Sequence, residues 1–552
     1  MSTPAITPIT LPQSEASPKA PELTQDTKRT VFAAALGTVF EWYDFFIYGS
    51  LAAFFSTLFF PQGNQTAALL AALATFGAGF VLRPFGAIVF GRLGDVVGRK
   101  KTFLITMLVM GFATAAIGLL PTYEMIGWAA PALLVALRLL QGLAVGGEFG
   151  GAVTYVAEHS NPDKRGFTTS WIQITGTLGL FLSLIVIVLC RSLMSEEAFA
   201  SWGWRLPFIG SIALLLLSLY IRLKLHESPV FQEMKAQGKT SKNPIKDTLG
   251  NGRNLRLVLI AIFGIVAGQA VIWYTGHFYS LYFMTTTLKM SPDQANFYLL
   301  VALALGTPFF LFFGWLSDKI GRKVIVLTGC ALSALLFMPL FQALASYGNP
   351  ALAEFRAHTQ VVLMGSDCQT TQSLAGQLFR PQATTPCTQA KALLTARAVP
   401  YTVQSSDEPL CIDINGETLQ GFSEAGLLAA LTEKGLPAAK APAQSNGPMV
   451  VAVLFALVFL ATMVYGPLGA ILVELFPVHI RYSGVSLALQ LGNGWIGGFA
   501  PFVATAVVIA TGNIFGGLWY TVAFAALTTV IGALLLPETR GRSLTAELDK
   551  RQ

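Results

Sequence analysis

The sequence predicts an all-α membrane protein with twelve transmembrane helices in two six-helix parallel repeats, plus a small α/β or irregular insert between helices 9 and 10. Three observations predict this fold class. The chain of 552 residues is 53% hydrophobic and 12% charged, whereas soluble proteins carry about 25% charged residues. Apolar stretches recur that are long enough to cross the ~30 Å hydrocarbon layer of a bilayer. One ten-residue motif occurs in two corresponding loops.

The apolar stretches, taken in order, place the twelve spans. They lie near residues 31–58, 66–90, 102–121, 129–157, 168–190, 204–223, 257–284, 293–316, 324–346, 447–473, 484–510 and 514–537. The predicted domains begin with a disordered cytosolic tail at 1–28, an N-terminal half at 29–223 and a cytosolic linker at 224–256. The C-terminal half occupies 257–346 and 447–540, with the insert at 347–446 between its two segments, and a second cytosolic tail follows at 541–552.

The positions of lysine and arginine predict the orientation. Short loops after even-numbered spans are rich in both residue types, whereas the loops after odd-numbered spans nearly lack them. Because cytosolic loops carry the excess of positive charge, both termini are predicted to be cytosolic and the insert periplasmic. These loops explain the net charge of +7, so we expect a lipid bilayer and no nucleic acid as a partner.

The cysteines predict a disulfide bond in the insert and no metal site. The chain has five cysteines and no C-x-x-C pair, so we expect neither a cofactor nor a metal. Cys368, Cys387 and Cys411 lie in the insert, where an oxidising periplasm favours one disulfide and leaves one thiol over. Residues 386–422 faintly resemble a glutaredoxin without its C-x-x-C pair. The insert is therefore either an α/β module without catalysis or a loop held by a disulfide.

The repeated motif reads GRLGDVVGRK at 91–100 and GWLSDKIGRK at 314–323. It resembles the signature loop of the major facilitator superfamily, G-x-x-x-D-x-x-G-R-[RK]. The resemblance implies that the motif closes the two halves on the cytosolic side, because its aspartate can pair with arginine or cap a neighbouring helix. The gating residues implied are Asp95, Arg99, Asp318 and Arg322.

Further stretches resemble one branch of that superfamily. They are GTVFEWYDFFIYG at 37–49, RPFG at 83–86, RLLQG at 138–142 and GGE at 146–148. They are similar to the metabolite–proton symporters, which include carriers of proline and betaine, 2-oxoglutarate, citrate and shikimate. PETRG at 537–541 and ELFP at 474–477 fit sugar-porter-like members of the wider superfamily. The resemblance implies import of a small polar metabolite driven by a proton gradient.

Span 1 carries two carboxylates inside the bilayer. A charged side chain there costs a few kcal/mol, so it needs a partner or a water-filled cavity. Glu41, Asp44 and Tyr48 form one polar stripe at helical spacing. Neighbouring carboxylates raise the pKa of one of them, which suits a proton-binding group. The alternative is a structural ion pair or a hydrogen bond at a helix end.

Span 4 supplies the opposite charge. Arg138, Gln141 and Glu148 share one face, beside a ridge of small residues that lets another helix approach closely, Gly142, Gly146 and Gly150. We hypothesise that Arg138 binds an ionised carboxylate, Asp44 first, and that protonation releases the pair. A substrate carboxylate would compete for Arg138, because guanidinium binds carboxylates in a bidentate manner. The alternative is a structural clamp between spans 1 and 4.

The second half offers polar residues for the same cavity. Gln269 and Trp273 lie at four-residue spacing in span 7, and Gln490 and Asn493 share a face of span 11. They are predicted to line the substrate site. The alternatives are an aromatic belt at the membrane interface, including His277 and Tyr282, and hydrogen bonds between helices for the span 11 pair. Arg83 in span 2 is expected to gate, either by snorkelling to the cytosolic face or by pairing with an acid.

These residues and the resemblance predict a monomeric proton-coupled symporter. It would import a small carboxylate or zwitterionic metabolite across a bacterial inner membrane by alternating access. The alternative is an osmosensing compatible-solute transporter or membrane sensor that uses the insert. Residues 541–552 show no heptads of a C-terminal coiled coil, which favours metabolite uptake. An enzyme is not expected, because only the insert cysteines would supply its chemistry.

Overall fold

The computed structural model describes residues 25–61, 63, 65–97, 99–147, 149–158, 160–223, 248–368, 385–404, 406–437, 444–477, 480–542 and 544. The predicted N-terminal tail before Gln25, the linker up to residue 247 and the C-terminal residues from 545 lie outside these ranges. The described chain consists mainly of long helices, which confirms the predicted helical class.

Ten described helices are long and apolar enough to cross a membrane, each close to a predicted span. We number the helices of the bundle in chain order, so that these ten are α2 and α4 to α12; α1 and α3 are described in the next paragraph. They run over Ala67–Phe90, Ala129–Thr154, Pro162–Leu193, Gly203–Tyr220, Gly252–Thr287, Pro292–Ile320, Arg322–Gly348, Gly447–Leu475, Ser483–Thr511 and Leu518–Leu535.

Two further helices occupy the positions of predicted spans 1 and 3. α1 runs over Gln25–Phe59, and its hydropathy is lowered by Glu41 and Asp44. α3 runs over Arg99–Leu119 and contains the apolar helical stretch Leu104–Leu119.

Glycines bring α2 and α4 into backbone contact, as the small-residue ridge of α4 predicts. A Cβ on Gly142 would lie 1.8 Å from the carbonyl oxygen of Gly79, and one on Gly146 would lie 2.1 Å from that of Arg83. A Cβ on Gly79 would also lie 2.7 Å from Nη2 of Arg138. Only glycine therefore permits this approach, and the approach places the side chains of Arg83 and Arg138 near each other.

The insert between α9 and α10 folds as an α/β module with its own core. Its sheet has the order β2-β1-β3-β4, with β1 and β2 parallel and the other pairs antiparallel. The strands are Val361–Met364, Thr402–Gln404, Cys411–Ile414 and Glu417–Gln420, and the helices are Pro350–His358, Pro386–Ala396 and Glu424–Glu433. The alternative of an irregular loop is therefore wrong.

A disulfide joins the end of β1 to the start of the next helix of the insert. It links Cys368 to Cys387, and Cys411 is a free thiol. Leu363, Ile412 and Leu431 are fully buried around this connection. The alternation of buried and partly buried residues along β3 is what a strand with one face on a core requires.

The insert lies at one end of the helix bundle, on the ends of α7 and α11. The hydroxyl of Tyr401 donates to the carbonyl oxygen of Ile509, and Nη2 of Arg356 donates to that of Thr287 at 3.0 Å. α10 leaves the insert at Gly447 and ends at Leu475. At 1.5 Å per residue this helix is about 43 Å long, so the segment around Leu475 is at the opposite end of the bundle.

Candidate functional site

A buried arginine of α4 is the centre of the candidate site. Arg138 has no exposed surface. Its Nη1 donates to Oε1 of Gln141 at 2.7 Å and to the carbonyl oxygen of Phe45 at 3.2 Å. Its Nη2 donates to the carbonyl oxygen of Phe76 at 3.2 Å, while Nε has no hydrogen-bond partner among the described residues. The guanidinium therefore keeps a buried donor for a further acceptor.

A second buried arginine shares an aromatic ring with Arg138. Arg83 of α2 is 1% exposed, and its guanidinium carbon lies 4.2 Å from the ring centroid of Phe45. The guanidinium carbon of Arg138 lies at the same distance from that ring, 4.2 Å. Arg83 also contacts Phe80 and Tyr274. It is therefore in the bundle interior, and the expectation that it snorkels to the cytosolic face is wrong.

The two guanidinium groups have no acidic partner in the part of the chain that the structure describes. The ion pairs there involve other arginines and lysines. A buried charge without a partner is costly, so the interior of the bundle favours an anion beside Arg83 and Arg138.

The predicted pair of Arg138 and Asp44 is not formed. Asp44 is 5% exposed, lies beside Ser211 of α6, and its Oδ1 has no hydrogen-bond partner among the described residues. Successive residues of a helix point about 100° apart, so Phe45 faces Arg138 while Asp44 faces α6. Gln141 connects the two groups, since its Nε2 donates to the main-chain oxygen of Asp44 at 3.4 Å.

The rest of the polar stripe on α1 is also buried. Glu41 is 8% exposed, and Tyr48 is fully buried. The hydroxyl of Tyr48 donates to the carbonyl oxygen of Ala72 at 3.0 Å, and its ring centroid lies 4.7 Å from the guanidinium carbon of Arg138. The stripe thus divides, with Tyr48 on the side of Arg138 and Asp44 on the side of α6.

The polar and aromatic residues of α7 face the bundle interior. Gln269 is fully buried, and neither its oxygen nor its nitrogen has a described partner. Trp273 stacks on His277 with ring centroids 4.5 Å apart, and its Nε1 donates to Thr177 of α5 at 3.4 Å. His277 and Tyr282 are 0% and 2% exposed. The alternative of an aromatic belt at the membrane interface is therefore wrong for these two residues.

Irregular turns in α7 and α11 mark the helices that line the site. α7 contains the π-helical segments Ile262–Val266, Thr275–Tyr279 and Phe283–Thr287. α11 contains Gln490–Gly497, which includes Asn493. Such segments are frequent at functional sites. Gln490 donates to the carbonyl oxygen of Gly146 at 3.2 Å. This contact is the hydrogen bond between helices that the sequence offered as the alternative to lining the substrate site.

At the end of the bundle opposite the insert, Asp318 of α8 caps the first turn of α5. Its Oδ1 and Oδ2 accept from the main-chain N–H groups of Gly166 and Phe167, each at 2.8 Å. These N–H groups begin α5, where a carboxylate is stabilised by unpaired donors and by the helix dipole. Nη2 of Arg322 lies 3.2 Å from Oδ1 of Asp318. Within the same motif, Gly321 has a φ of +108°, which favours glycine.

Glu474 completes this ion-pair network. Its Oε1 lies 2.7 Å from Nη1 of Arg165, and its Oε2 lies 2.7 Å from Nε of Arg322. The hydroxyl of Thr539 donates to Oε2 at 2.8 Å. All of these side chains are buried. Because Arg165 belongs to α5, Arg322 to α9 and Glu474 to α10, the network joins three helices that are far apart in the chain.

Three buried polar residues were not singled out from the sequence. Arg165 appeared only as one positive charge of a loop, and Glu474 only as part of the stretch ELFP. Gln173 of α5 is fully buried, and its side-chain oxygen and nitrogen have no described partner. Its only signal was an amide within an apolar span.

Some predicted site residues cannot be placed. Glu148 lies outside the described residues, as do the side chains of Asp95 and Arg99.

The described residues offer no site for a metal ion. One group of potential ligands lies close together, namely Asp367, Cys368 and Cys387. Both cysteines are joined in the disulfide, so neither has a thiolate to donate.

Comparison with known proteins places this geometry in context. Residues 30–258 and 419–547 match the model of the family described as "Sugar (and other) transporter". The chain is 31% identical over 521 residues to the inner membrane metabolite transport protein YhjE of Escherichia coli (strain K12), covering 94% of this chain and 95% of that protein. It is 37% identical over 321 residues to the shikimate transporter of the same organism, covering 57% and 72%.

The fold is also similar to that of a solved structure. The proton:xylose symporter XylE bound to 6-bromo-6-deoxy-D-glucose superposes with a TM-score of 0.60 at 17% identity, covering 95% of this chain and 98% of that one. At this identity the similarity concerns the fold. The proteins matched here are transporters, which confirms the expectation that the chain is not an enzyme.

Proposed function

This chain belongs to the sugar (and other) transporter family of the major facilitator superfamily, and we propose that it is a proton-coupled symporter for a small carboxylate or zwitterionic metabolite. It acts in a bacterial inner membrane by alternating access. The observation that carries the substrate class is the pair of buried arginines, Arg83 and Arg138, without a described acidic partner.

A carboxylate of the substrate supplies the negative charge and the hydrogen-bond acceptors that these arginines lack. Its oxygens accept hydrogen bonds from Nε of Arg138 and from Nε and Nη2 of Arg83, which have no hydrogen-bond partner among the described residues. Guanidinium–carboxylate pairs combine charge with two parallel hydrogen bonds, which favours arginine over lysine for this task. The names of several relatives agree, since shikimate, alpha-ketoglutarate, proline and betaine all carry a carboxylate.

Asp44 is the group we assign to the proton. Its buried Oδ1 has no described hydrogen-bond partner, and a buried carboxyl group favours the neutral, protonated form. Gln141 links this group to the substrate site, because it binds Arg138 through Oε1 and the Asp44 main chain through Nε2. Loss of the proton places a charge on α1 and changes the balance of the two halves.

The remaining features of the proposal concern topology. We count twelve spans by including α1 and α3, in two six-helix repeats, with both termini cytosolic and the insert periplasmic. The Lys- and Arg-rich loops support this orientation. The network of Glu474 then closes the cytosolic end, and it must break for the substrate to leave. The protein acts as a monomer in this proposal.

Uptake into proteoliposomes with an imposed pH gradient tests the proposal. The compounds are 2-oxoglutarate, citrate, shikimate and glycine betaine. Asp44→Asn should lose gradient-driven accumulation and retain exchange of substrate for substrate. Arg138→Lys should lower kcat/KM for a carboxylate by roughly 100-fold, since it removes the charge-assisted hydrogen bond from Nε, and such a bond contributes about 1.5–3 kcal/mol.

Asp293→Asn is the matched control for both variants. Asp293 is an exposed carboxylate that pairs with Arg191 at the surface, so its loss should leave accumulation unchanged. Full gradient-driven accumulation by Asp44→Asn would refute the assignment of the proton. Normal kcat/KM in Arg138→Lys would refute the assignment of the substrate carboxylate.

A further inference from the structure

A cavity lies between the insert and the helix bundle. Its volume is about 350 Å³, within the size range of small-ligand sites. Its walls come from the ends of α1, α2, α7 and α11 and from the insert. The polar lining includes Ser56, Thr286, Lys289, Thr395 and Thr505. The insert thus closes a space that the transmembrane helices alone would leave open.

Lys289 gives this cavity a positive charge. It is exposed, and it forms no hydrogen bond or ion pair within the part of the chain that the structure describes. Its exposed surface is the cavity wall, where surrounding protein removes much of the water. Desolvation, and then the nearby charges of Arg356 and Arg397, lower the pKa of Lys289 to about 8.

Arg356 fixes the insert against the cavity. From the helix Pro350–His358 its Nε donates to the carbonyl oxygen of Ala398 at 2.9 Å, and its Nη2 donates to that of Thr287 at 3.0 Å. Both acceptors belong to residues that line the cavity. Its Nη1 is buried without a described partner. The cations around the cavity are therefore not neutralised by the groups that hold them.

Two hydroxyl groups of the cavity wall already donate to main-chain oxygens of their own helices. The hydroxyl of Thr286 donates to the carbonyl oxygen of Tyr282, and that of Thr505 donates to the carbonyl oxygen of Pro501. The backbone of Lys289 has a φ of +58°, a conformation that favours glycine or asparagine. A long cationic side chain at this strained position is consistent with a binding role.

We propose that this cavity is an entry site that captures a small carboxylate anion before it reaches Arg138. Lys289 is the residue that binds the anion, and Arg356 and Arg397 add positive charge behind it. The insert is then part of the uptake route, since it supplies one wall and two of the three cations. This inference rests on the proposed function, because it takes the transported carboxylate as the ligand.

Chemical labelling of the purified full-length protein tests the site without transport. An amine-reactive anhydride at pH 8 should modify Lys289 readily, because about half of its amine is neutral there. Citrate or 2-oxoglutarate should slow this modification at least about fivefold. Lys434 is the control, an insert lysine paired with Glu417, and its labelling should not change. Peptide mass spectrometry measures both sites.

Two added anions define the ligand class in this experiment. Chloride at equal ionic strength should give no protection. Protection of Lys289 by inorganic phosphate but by neither carboxylate would overturn the assignment to carboxylates. Equal labelling of Lys289 with and without every anion would overturn the site itself.

Uptake kinetics provide the second test. Lys289→Gln should raise KM for a carboxylate about tenfold and leave the maximal rate unchanged, because it removes one charge-assisted contact on the way in. Lys289→Arg should restore KM, and Lys434→Gln should behave as the parent. A KM for Lys289→Gln within twofold of the parent would overturn the inference.

The two tests separate the inference from the proposed function. If carboxylates protect Lys289 but no compound accumulates in proteoliposomes, the anion site at Lys289 stands, and the transport proposal fails together with the role of that site in uptake. If a carboxylate accumulates while Lys289 is neither protected nor needed for normal KM, the inference fails alone.

Discussion

Replacing Glu474 by glutamine tests whether the ion-pair network holds one end of the bundle closed. The carboxylate joins Arg165 at 2.7 Å to Arg322 at 2.7 Å, with all three side chains buried. In the proposed cycle, opening this end separates Arg165 of α5 from Glu474 of α10. Arg322 of α9 and Glu474 stay together in that cycle.

The magnitude follows from this geometry. Removing one partner of a buried ion pair costs roughly 3–5 kcal/mol. In Glu474→Gln the amide still accepts one hydrogen bond from Arg165, so we take the lower limit, about 3 kcal/mol, for the loss in the closed state. At 1.36 kcal/mol per factor of ten, the population of the open state should rise roughly 100-fold.

Accessibility of an engineered thiol measures this shift. Thr169 lies one turn after Arg165 in α5 and is fully buried, so Thr169→Cys should react with N-ethylmaleimide only in the open state. The background replaces Cys190 and Cys411, which are partly exposed, by serine and retains Cys330, which is buried. In the Glu474→Gln protein the labelling rate should rise toward 100-fold, up to the rate of an exposed thiol.

The exposed pair of Arg191 and Asp293 serves as the control. It joins α5 to α8 at the end of the bundle that carries the insert, and the Asp293 side chain is 64% exposed. Asp293→Asn should change the labelling rate less than about fivefold, since exposed pairs contribute about 1 kcal/mol or less. If Glu474→Gln labels within twofold of its parent, the network does not hold this end closed.

Gly142→Ala should lower the Tm of the purified protein, because its Cβ would lie 1.8 Å from the carbonyl oxygen of Gly79. Gly210→Ala places its Cβ where no atom lies within 4 Å, and an equal Tm for both variants would refute the argument. Replacing Cys368 and Cys387 by serine should lower the free energy of unfolding of the insert by about 3 kcal/mol. Urea unfolding followed by proteolysis of the insert measures it, and an unchanged midpoint would contradict the prediction.

Several residues of the site could be recognised from the sequence for a physical reason. Arg138, Gln141 and Asp44 are polar groups in apolar spans, where each must have a partner, so their presence alone indicated a functional interior. The small residues Gly142 and Gly146 predicted a close helix contact, because only a missing Cβ permits one. The site in α7 was recognised in the same way, from polar and aromatic residues at helical spacing.

The sequence did not predict which side chains contact each other within the site. Arg138 does not pair with Asp44, because the two side chains leave their helices toward different neighbours. From the sequence, Arg83 was expected to reach the cytosolic end of its helix. In the structure the glycines of α4 allow α2 to approach closely, and the Arg83 side chain lies against the ring of Phe45 in the bundle interior. Such choices depend on the rotation of each helix about its axis, which hydropathy does not specify.

The sequence by itself determined the membrane class, the positions of the long helices, the repeated motif and the presence of charged groups in the interior. These follow from the cost of placing polar groups in lipid, which acts on each segment separately. Only the tertiary structure decided that Glu474 joins Arg165 to Arg322, and that the insert closes a cavity over Lys289. Those contacts join residues far apart in the chain, and only the packing of whole helices brings them within hydrogen-bond distance.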